Sequence, residues 1–327
     1  MYKYRLLVTA RSFAKYGPEP AEKLEESAIE ILRPAVAGPF DEKGLIAAIG
    51  AAGPIDAIMV GNDAVTANVI RKLLPRTKVV SRYGIGVDNI DIEAAKKAGI
   101  AVTNTPGAND KSVADLAMGL VICCARSIPQ HMEGVQEGSW DRKVGTELDG
   151  KVLGIIGMGR TGKGLAARAK AFGMEVVGFD KYWDDGFAKA HGVSYSSVEE
   201  ILRVSDFVSL HVPATAETEN LMNEESLATM KRGASIINTA RGELVDEKAL
   251  ADAVKAGRIK AAAVDVTRRE PPTGSPLLGV PGIYITPHIG ANTEGAGKSM
   301  SMIAADNVIG MLVDKRNLGF GPRSWRY

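Results

Sequence analysis

The sequence contains little cysteine, few aromatic residues and almost no net charge. Its two cysteines, Cys123 and Cys124, are adjacent, and two neighbouring thiols form neither a disulfide framework nor a Cys-x-x-Cys metal site. We therefore expect no metal, and a reducing compartment, the cytoplasm. The formal net charge of +1 gives no basic excess that would favour nucleic acid or an anionic membrane. The longest uncharged apolar run, residues 116–125, is too short to span a bilayer, which takes about 20 residues.

Glycine, in contrast, is abundant, with 36 residues, as expected of a fold with many tight turns between strands and helices. Through the middle of the chain, short apolar runs alternate with patterns of helical period. The predicted strands are 151–157, 175–180, 206–212, 234–240, 259–266 and 283–286. This alternation predicts an α/β fold with a doubly wound parallel sheet.

The first hundred residues show the same alternation more weakly, and they predict a second, smaller Rossmann-like domain. Its predicted strands are 4–10, 57–60, 79–82 and 101–104, and its predicted helices are 21–33, 65–74 and 92–98. Two long helical patterns, 111–137 and 293–315, are interpreted as crossover helices that join the two domains. The predicted substrate domain is therefore 1–104 plus 292–327, and the predicted cofactor domain is 105–291.

The strongest local motif is the glycine-rich segment Gly-Met-Gly-Arg-Thr-Gly at 157–162. It follows a predicted strand and opens a predicted helix, the context that a dinucleotide-binding fingerprint requires. Gly157 permits the tight turn, Gly159 lets the backbone approach a pyrophosphate, and Gly162 allows close packing of helix and strand. Asp180 ends the next strand, where a carboxylate accepts hydrogen bonds from ribose hydroxyls and repels a 2′-phosphate. The motif therefore predicts NAD in preference to NADP.

Three charged or titratable residues each follow a predicted strand of the central domain: Arg241, Glu270 and His288. Ligands bind open α/β sheets at the carboxyl ends of the strands. An arginine there binds a carboxylate, a histidine transfers a proton near neutral pH, and a neighbouring carboxylate raises the pKa of that histidine. These three residues are therefore the predicted catalytic group.

Longer motifs make the sequence similar to a known family. They are SRYGIGVDNID (81–91), NTPGANDKSVADLAMGL (104–120), GTELDGKVLGIIGMGRTG (145–162), NTARGELVDEKAL (238–250), AVDVTRREPP (263–272) and TPHIGANT (286–293). With these motifs in this order, the chain resembles the D-isomer-specific 2-hydroxyacid dehydrogenases, and among them the phosphoglycerate dehydrogenase-like branch. The resemblance implies an NAD-dependent enzyme that transfers hydride reversibly between nicotinamide and C2 of a 2-hydroxy or 2-keto acid.

The resemblance also implies a homodimer formed through the cofactor domain and its crossover helix. The apolar run 116–125 fits such an interface, and it equally fits a core within one chain.

The resemblance further implies roles for individual residues. Arg241 would bind the substrate carboxylate and the C2 oxygen, His288 would act as acid and base, and Glu270 would be the carboxylate partner of His288. Asp265 would orient the nicotinamide carboxamide. The other implied cofactor contacts are Val113, Arg160, Thr161, His211, Val212, Pro213, Thr239 and Ala240. The implied substrate contacts are Arg82, Tyr83, Asn109, and the N–H groups of Ile85 and Gly86.

Two substrate classes remain open. The phosphoglycerate enzymes of this family carry an arginine in the loop after the strand that matches 57–60, but here residues 60–64 read Val-Gly-Asn-Asp-Ala. Arg82 would still meet a phosphate, so the first prediction is a 3-phosphoglycerate-like acid. The alternative is a small unphosphorylated acid, such as glycerate, hydroxypyruvate, glyoxylate or lactate. A remote third reading is an NAD-sensing binding protein of the corepressor kind.

Overall fold

The computed structural model describes residues 2–316 and divides the chain into two compact units. The split unit consists of Met1–Asn109 with Thr293–Tyr327, and the inserted unit of Asp110–Asn292. Met1 and residues 317–327, which belong to the predicted substrate domain, lie outside the described residues. The functions predicted for the two domains stay predictions at this point.

The split unit begins with a five-stranded parallel sheet in the order β2-β1-β3-β4-β5. Its strands are β1 (Tyr4–Val8), β2 (Ile29–Leu32), β3 (Ala57–Val60), β4 (Val79–Arg82) and β5 (Ala101–Thr103). Its first four helices are α1 (Glu19–Glu26), α2 (Glu42–Ala52), α3 (Ala67–Leu73) and α4 (Ile92–Lys97).

The inserted unit contains a seven-stranded parallel sheet in the order β12-β11-β10-β9-β6-β7-β8. Its elements are α5 (Asp110–Arg126), α6 (Ile128–Gln136), β6 (Val152–Ile156), α7 (Arg160–Ala171), β7 (Glu175–Phe179), α8 (Asp185–His191), β8 (Val193–Tyr195), α9 (Val198–Val204), β9 (Phe207–Leu210), α10 (Glu224–Thr229), β10 (Ala234–Asn238), α11 (Glu247–Lys255), β11 (Ile259–Val264) and β12 (Ile283–Ile285). The chain then returns to the split unit as α12 (Glu294–Leu312). The predicted α/β fold with two parallel sheets is confirmed.

Short polar side chains begin many of the helices. Asp41 accepts the Gly44 N–H ahead of α2, and Thr293 accepts the Ala296 N–H ahead of α12. Asn223 and Ser226 form a reciprocal capping box at the start of α10. Each of these side chains supplies a partner to an N–H group that the helix itself leaves unbonded. The starts of these helices are therefore determined by residues at the helix ends themselves.

The predicted helix 21–33 is wrong in its second half. Helix α1 ends at Glu26, Ala28 has a φ of 57°, and Ile29–Leu32 forms β2 beside β1. Ile29 is fully buried in the core of the split unit. Pairing with β1 and burial of β-branched side chains outweigh the local helical period here.

The predicted helical run 111–137 is two helices, α5 and α6, bent by 66°. Ser127 between them has a φ of 51°. Pro129 has no N–H with which to bond Ala125, whose carbonyl accepts the Thr146 N–H at 2.9 Å instead. Among residues 2–316, no single helix has the length and apolar content to cross a membrane; the bent pair α5 and α6 meets that test by length and composition only.

The apolar run 116–125 lies mainly in the core of the inserted unit. Ala117, Val121 and Cys124 are fully buried there, in one cluster with Leu153 and Leu165. Helix α5 packs against α7, β10 and β11, while α9, α10 and α11 cover the opposite face. The sequence leaves open whether this run forms a dimer interface or a core within one chain. The structure supports the core within one chain.

Candidate functional site

The glycine motif turns the chain sharply between β6 and α7. Gly157 has a φ of +104°, and a Cβ on it would lie 2.5 Å from the carbonyl carbon and oxygen of His211. A Cβ on Gly162 would lie 2.0 Å from the carbonyl oxygen of Gly157. Helix α7 begins after Gly159, which has no side chain to cap it. The motif therefore brings the N-terminus of α7 against the sheet edge and leaves its dipole available to an anion.

This turn stands where the strand order of the inserted sheet reverses. From β6 the chain proceeds outward through β7 and β8, whereas β9 lies on the other side of β6 and leads through β10 and β11 to β12. Such a reversal leaves a crevice at the carboxyl ends of the two central strands. The close approach of Gly157 to His211 is the contact between the two loops that flank this crevice.

His211 and Asp180 are fixed on either side of the motif. The His211 N–H bonds the Ile156 carbonyl at 2.7 Å, and its Nε2 lies 2.9 Å from Ser209 Oγ. Burial lowers the pKa of His211 to about 4, so this imidazole is neutral near pH 7. Asp180 follows β7, and its Oδ1 accepts the Tyr182 N–H at 2.8 Å. Val212 and Pro213 continue from His211 at the same edge.

Two further features of the inserted unit suit a bound dinucleotide. Arg160, in the first turn of α7, is half-exposed, and its Nε lies 3.8 Å from Asp110 Oδ2. Thr161 follows Arg160 in the same turn. Thr239 Oγ1, just beyond β10, is buried without a hydrogen-bond partner among residues 2–316. A buried hydroxyl group without a partner is costly, and a ligand hydroxyl would satisfy it. The residues present therefore fit a dinucleotide.

The loop after β10 presents Arg241. The buried Asn238 side chain folds this loop: its Nδ2 donates to the Arg241 carbonyl at 2.8 Å, and its Oδ1 accepts the Ala240 N–H at 3.0 Å. Arg241 Nη1 donates to the Ala240 carbonyl at 2.7 Å. A Cβ on Gly242 would lie 2.1 Å from the Thr267 carbonyl carbon, so the loops after β10 and β11 pass in close contact. Arg241 is thereby brought towards Glu270.

Glu270 and His288 form a direct pair, with His288 Nδ1 2.8 Å from Glu270 Oε2. Burial on its own would raise the pKa of Glu270. The His288 hydrogen bond and charge, with smaller effects of the Thr267 N–H and Arg241, outweigh burial and lower that pKa below its usual range. Glu270 is therefore ionised at neutral pH and stabilises the protonated imidazole. The structure brings the three predicted catalytic residues together at one sheet edge.

Asp265 holds the loop that carries His288. Its carboxylate accepts three hydrogen bonds, from Thr286 Oγ1 at 2.6 Å and from the N–H groups of Ile289 and Gly290 at 2.8 Å each. The Asp265 carbonyl accepts the His288 N–H at 3.0 Å. His288 has a φ of 53°, a conformation that needs support from its surroundings. Asp265 therefore positions the histidine, while its predicted contact with the nicotinamide stays a prediction.

In the split unit, Arg82 braces the loop 83–86. Its guanidinium donates from Nε to the Gly86 carbonyl at 2.8 Å, from Nη1 to the Tyr83 carbonyl at 2.5 Å and from Nη2 to Asn62 Oδ1 at 2.8 Å. Asn104 Nδ2 donates to the Ile85 carbonyl at 2.9 Å. The N–H and C=O groups of a trans peptide point in opposite directions. The Gly86 N–H therefore points away from Asn104, and Arg82 already has a local structural role.

Asn109 and Val113, both predicted to contact a ligand, lie in the sequence on either side of the boundary between the two units. Asn109 is the last residue of the first segment of the split unit, and its Oδ1 is buried without a hydrogen-bond partner among residues 2–316. Val113 lies in the first turn of α5, and its side chain approaches Gly290. Over the same range, no group of three histidine, cysteine or acidic side chains has the arrangement of a metal site.

A sequence profile described as "D-isomer specific 2-hydroxyacid dehydrogenase, NAD binding domain" matches residues 118–290, just over half of the chain. The chain belongs to this family. The resemblance found in the sequence is thus confirmed, and the matched residues lie within the inserted unit. The inserted unit therefore corresponds to the NAD binding domain of this family.

Relatives within this dehydrogenase family are similar over most of the chain. D-3-phosphoglycerate dehydrogenase of Methanocaldococcus jannaschii is 47% identical over 247 residues, which are 75% of this chain and 47% of the relative. Hydroxypyruvate reductase of Thermotoga maritima is 42% identical over 260 residues, 78% of this chain and 84% of the relative. The crystal structure of the TT0316 protein from Thermus thermophilus is 36% identical, with a TM-score of 0.84, and the match covers 95% of this chain and 97% of that one. The chain spans about half the length of the phosphoglycerate dehydrogenases that it matches.

Three residues that shape this site were missed by sequence reasoning. Asn238 folds the Arg241 loop, Thr286 bonds Asp265, and the buried Ser112 on α5 donates to the Gly290 carbonyl at 2.7 Å. Each is a small polar residue buried or half-buried next to a predicted site residue. A polar residue that interrupts a predicted core strand or helix is the signal that would have drawn attention to them.

Proposed function

We propose that the protein is an NAD-dependent D-2-hydroxyacid dehydrogenase that interconverts a 2-hydroxy acid and its 2-keto acid. The observation that carries this proposal is the His288–Glu270 pair next to Arg241, at the sheet edge that also bears the glycine turn. The bound cofactor would accept the hydride as NAD⁺ and supply it as NADH. Gly157, Gly159 and the N-terminus of α7 would hold its phosphates.

The side chains of the inserted unit provide the remaining chemistry. In the reductive direction, His288 donates a proton to the C2 oxygen from Nε2, because Nδ1 is engaged by Glu270. Glu270 stabilises the imidazolium before the transfer and fixes the plane of its ring. Arg241 binds the substrate carboxylate through its planar fork of N–H groups and polarises the carbonyl of the 2-keto acid.

The substrate is proposed to be a 3-phosphoglycerate-like acid, with small unphosphorylated acids as the alternative. NADH oxidation with 3-phosphohydroxypyruvate, hydroxypyruvate, glyoxylate and pyruvate tests both readings. We expect turnover of at least one of them, with NADH preferred over NADPH. Tight NADH binding without turnover of any 2-keto acid would contradict the proposed enzymatic activity. It would favour an NAD-sensing binding protein instead.

The preference for NAD is proposed to depend on Asp180. Substitution Asp180→Ala should lower the ratio of kcat/KM with NADH to kcat/KM with NADPH by about tenfold, because it removes a repulsion worth about 1 kcal/mol per pair of unit charges at 4 Å in water. The matched control is Asp185→Ala, an exposed acid in the first turn of α8. If both variants change the ratio equally, Asp180 is not the ribose-binding carboxylate.

We also propose that the protein is a homodimer whose interface includes α6 and the segment that follows it. Helix α6 buries none of its residues. Met132, Val135, Trp140 and Val144 are 51–92% exposed, and such an exposed apolar patch favours association. We expect wild-type protein to have the mass of a dimer by light scattering, and Trp140→Glu to have that of a monomer. The control Val36→Glu, at an exposed apolar position of the split unit, should stay dimeric; a monomeric wild type would refute the proposal.

The cytoplasm is proposed as the compartment, with no nucleic-acid or membrane partner. Cys123 and Cys124 are both free, and burial raises the pKa of each thiol, which suits unreactive thiols in a reducing environment. Recovery of the native protein in a membrane or exported fraction would contradict this assignment.

A further inference from the structure

The loop after β1 is tied to the loops after β3 and β4 at the carboxyl edge of the split-unit sheet. Strand β1 pairs with β3, and β3 with β4. Thr9 Oγ1 donates to Asp63 Oδ2 at 2.6 Å. The Tyr83 hydroxyl lies 3.3 Å from the Ser12 carbonyl oxygen. Residues 9–12 are therefore held next to the loop 83–86, the predicted site for the substrate carboxylate.

Arg11 lies between these two anchored positions, and it is exposed. Among residues 2–316 its side chain has no ion-pair or hydrogen-bond partner. The neighbouring Asp63 is fully buried and accepts hydrogen bonds from Thr9, Phe40 and Gly61. Arg11 therefore forms no ion pair with Asp63.

Two further basic residues, Arg33 and Lys15, are associated with the loop after β1. Arg33 donates from Nη2 to the Phe13 carbonyl at 3.2 Å, and its guanidinium carbon lies 5.8 Å from the centre of the Phe13 ring. Phe13 itself is buried, which fixes the middle of the loop. Lys15 follows on the same loop and is exposed. The loop after β1 thus combines a fixed backbone with a surplus of positive charge.

Apart from Arg33, which already contacts Phe13, the other loops at this edge do not supply an available cation. Residues 60–64 contain no basic residue, and the Arg82 guanidinium already donates to Gly86, Tyr83 and Asn62. Ligands bind at the carboxyl ends of strands in open α/β sheets. Arg11 is accordingly the basic side chain at this edge that is best placed to meet an anionic ligand.

We propose that Arg11 binds a second anionic group of the substrate, one remote from the C1 carboxylate, and so selects 2-keto acids with two anionic groups. This inference rests on the proposed function and names the residue that reads the distal end of the substrate. A phosphate ester and a second carboxylate offer the same chemistry to a planar guanidinium. A substrate that lacks the second anion would leave Arg11 without a partner.

The test compares Arg11→Gln and Arg11→Lys with wild type in NADH oxidation. The substrates are 3-phosphohydroxypyruvate, 2-oxoglutarate and hydroxypyruvate. We expect wild type to favour one of the two acids with a second anionic group, 3-phosphohydroxypyruvate or 2-oxoglutarate. Arg11→Gln should lower kcat/KM for that acid by about 10- to 100-fold, the range of one hydrogen bond to a charged group. The loss with hydroxypyruvate should be far smaller. For the favoured acid, the kcat/KM of Arg11→Lys should lie between those of wild type and Arg11→Gln. The acid that loses most identifies the second anion as phosphate or carboxylate.

The matched control is Lys15→Gln, which removes an exposed positive charge from the same loop and should leave the preference within about twofold of wild type. Equal losses with all three acids in Arg11→Gln would overturn the inference and leave the proposed function intact. The same holds for a wild type that turns over hydroxypyruvate but favours neither acid with a second anionic group. A wild type that reduces none of the acids would refute the proposed function itself.

Discussion

We expect His288→Ala to lower kcat by about 10²- to 10⁴-fold, the usual contribution of a general acid or base, with little change in the Kd for NADH. His288 forms the pair with Glu270 at 2.8 Å, and neither residue belongs to the glycine turn that is proposed to hold the cofactor phosphates. Stopped-flow or steady-state turnover gives kcat, and quenching of protein fluorescence by NADH gives the Kd.

The control for this substitution is another histidine of the same unit. His191 ends α8 and stacks on Phe187, with ring centres 4.2 Å apart. His191→Ala should retain kcat within about twofold, since surface substitutions away from special features change little. Near-normal turnover by His288→Ala would remove the acid/base assignment, and an equal loss in both variants would point to a general effect on folding.

The second large effect is expected from Asp265→Asn, which should lower kcat at least about 100-fold and reduce the free energy of unfolding by about 1–3 kcal/mol. Asp265 is 2% exposed, and both carboxylate oxygens accept hydrogen bonds from the loop 286–290. An asparagine offers one oxygen and an NH₂ group, so at least one backbone N–H would face another donor. The loop would then release the left-handed conformation of His288.

A loss of stability alone would not show whether Asp265 positions His288 or only stabilises the fold. The control is therefore Asp206→Asn. Asp206 accepts the Val152 N–H at 2.9 Å and pairs with Lys231 at the opposite, amino edge of the same sheet. We expect it to lower the free energy of unfolding while kcat and its pH profile stay as in wild type. For Asp265→Asn, kcat should fall as well as stability, because the loop that presents His288 is no longer held. An unchanged kcat would contradict the positioning role.

Much of the fold follows from local signals in the sequence. The strands before the glycine turn and before Arg241 are continuous apolar runs, and helices such as α2 and α12 begin at short polar caps. The failures come from contacts distant in sequence. Residues 29–32 form a strand because β1 lies beside them. The run 111–137 breaks because Pro129 cannot bond Ala125, which bonds Thr146 instead.

The candidate site shows the same division. Arg241, Glu270 and His288 could be predicted because each follows an apolar strand, and parallel strands end at a common edge. The three hydrogen bonds to Asp265 could not, because they join residues 21–25 positions apart whose spacing carries no periodic signal. The same holds for Arg82, whose bond to Asn62 spans 20 residues and gives it a bracing role.

The split unit is formed by two segments of the chain, with the inserted unit between them. The ribosome therefore completes the inserted unit before the split unit. This unit needs α12, which packs against α1 and β4 and whose Gly297 carbonyl lies 3.1 Å from the Tyr83 hydroxyl. All 183 residues of the inserted unit, Asp110–Asn292, leave the ribosome before α12 does. The inserted unit is contiguous and is complete at that moment, whereas the five-stranded sheet still lacks a helix that covers it. During translation the inserted unit is therefore complete before the split unit, and the five-stranded sheet gains its α12 cover only afterwards.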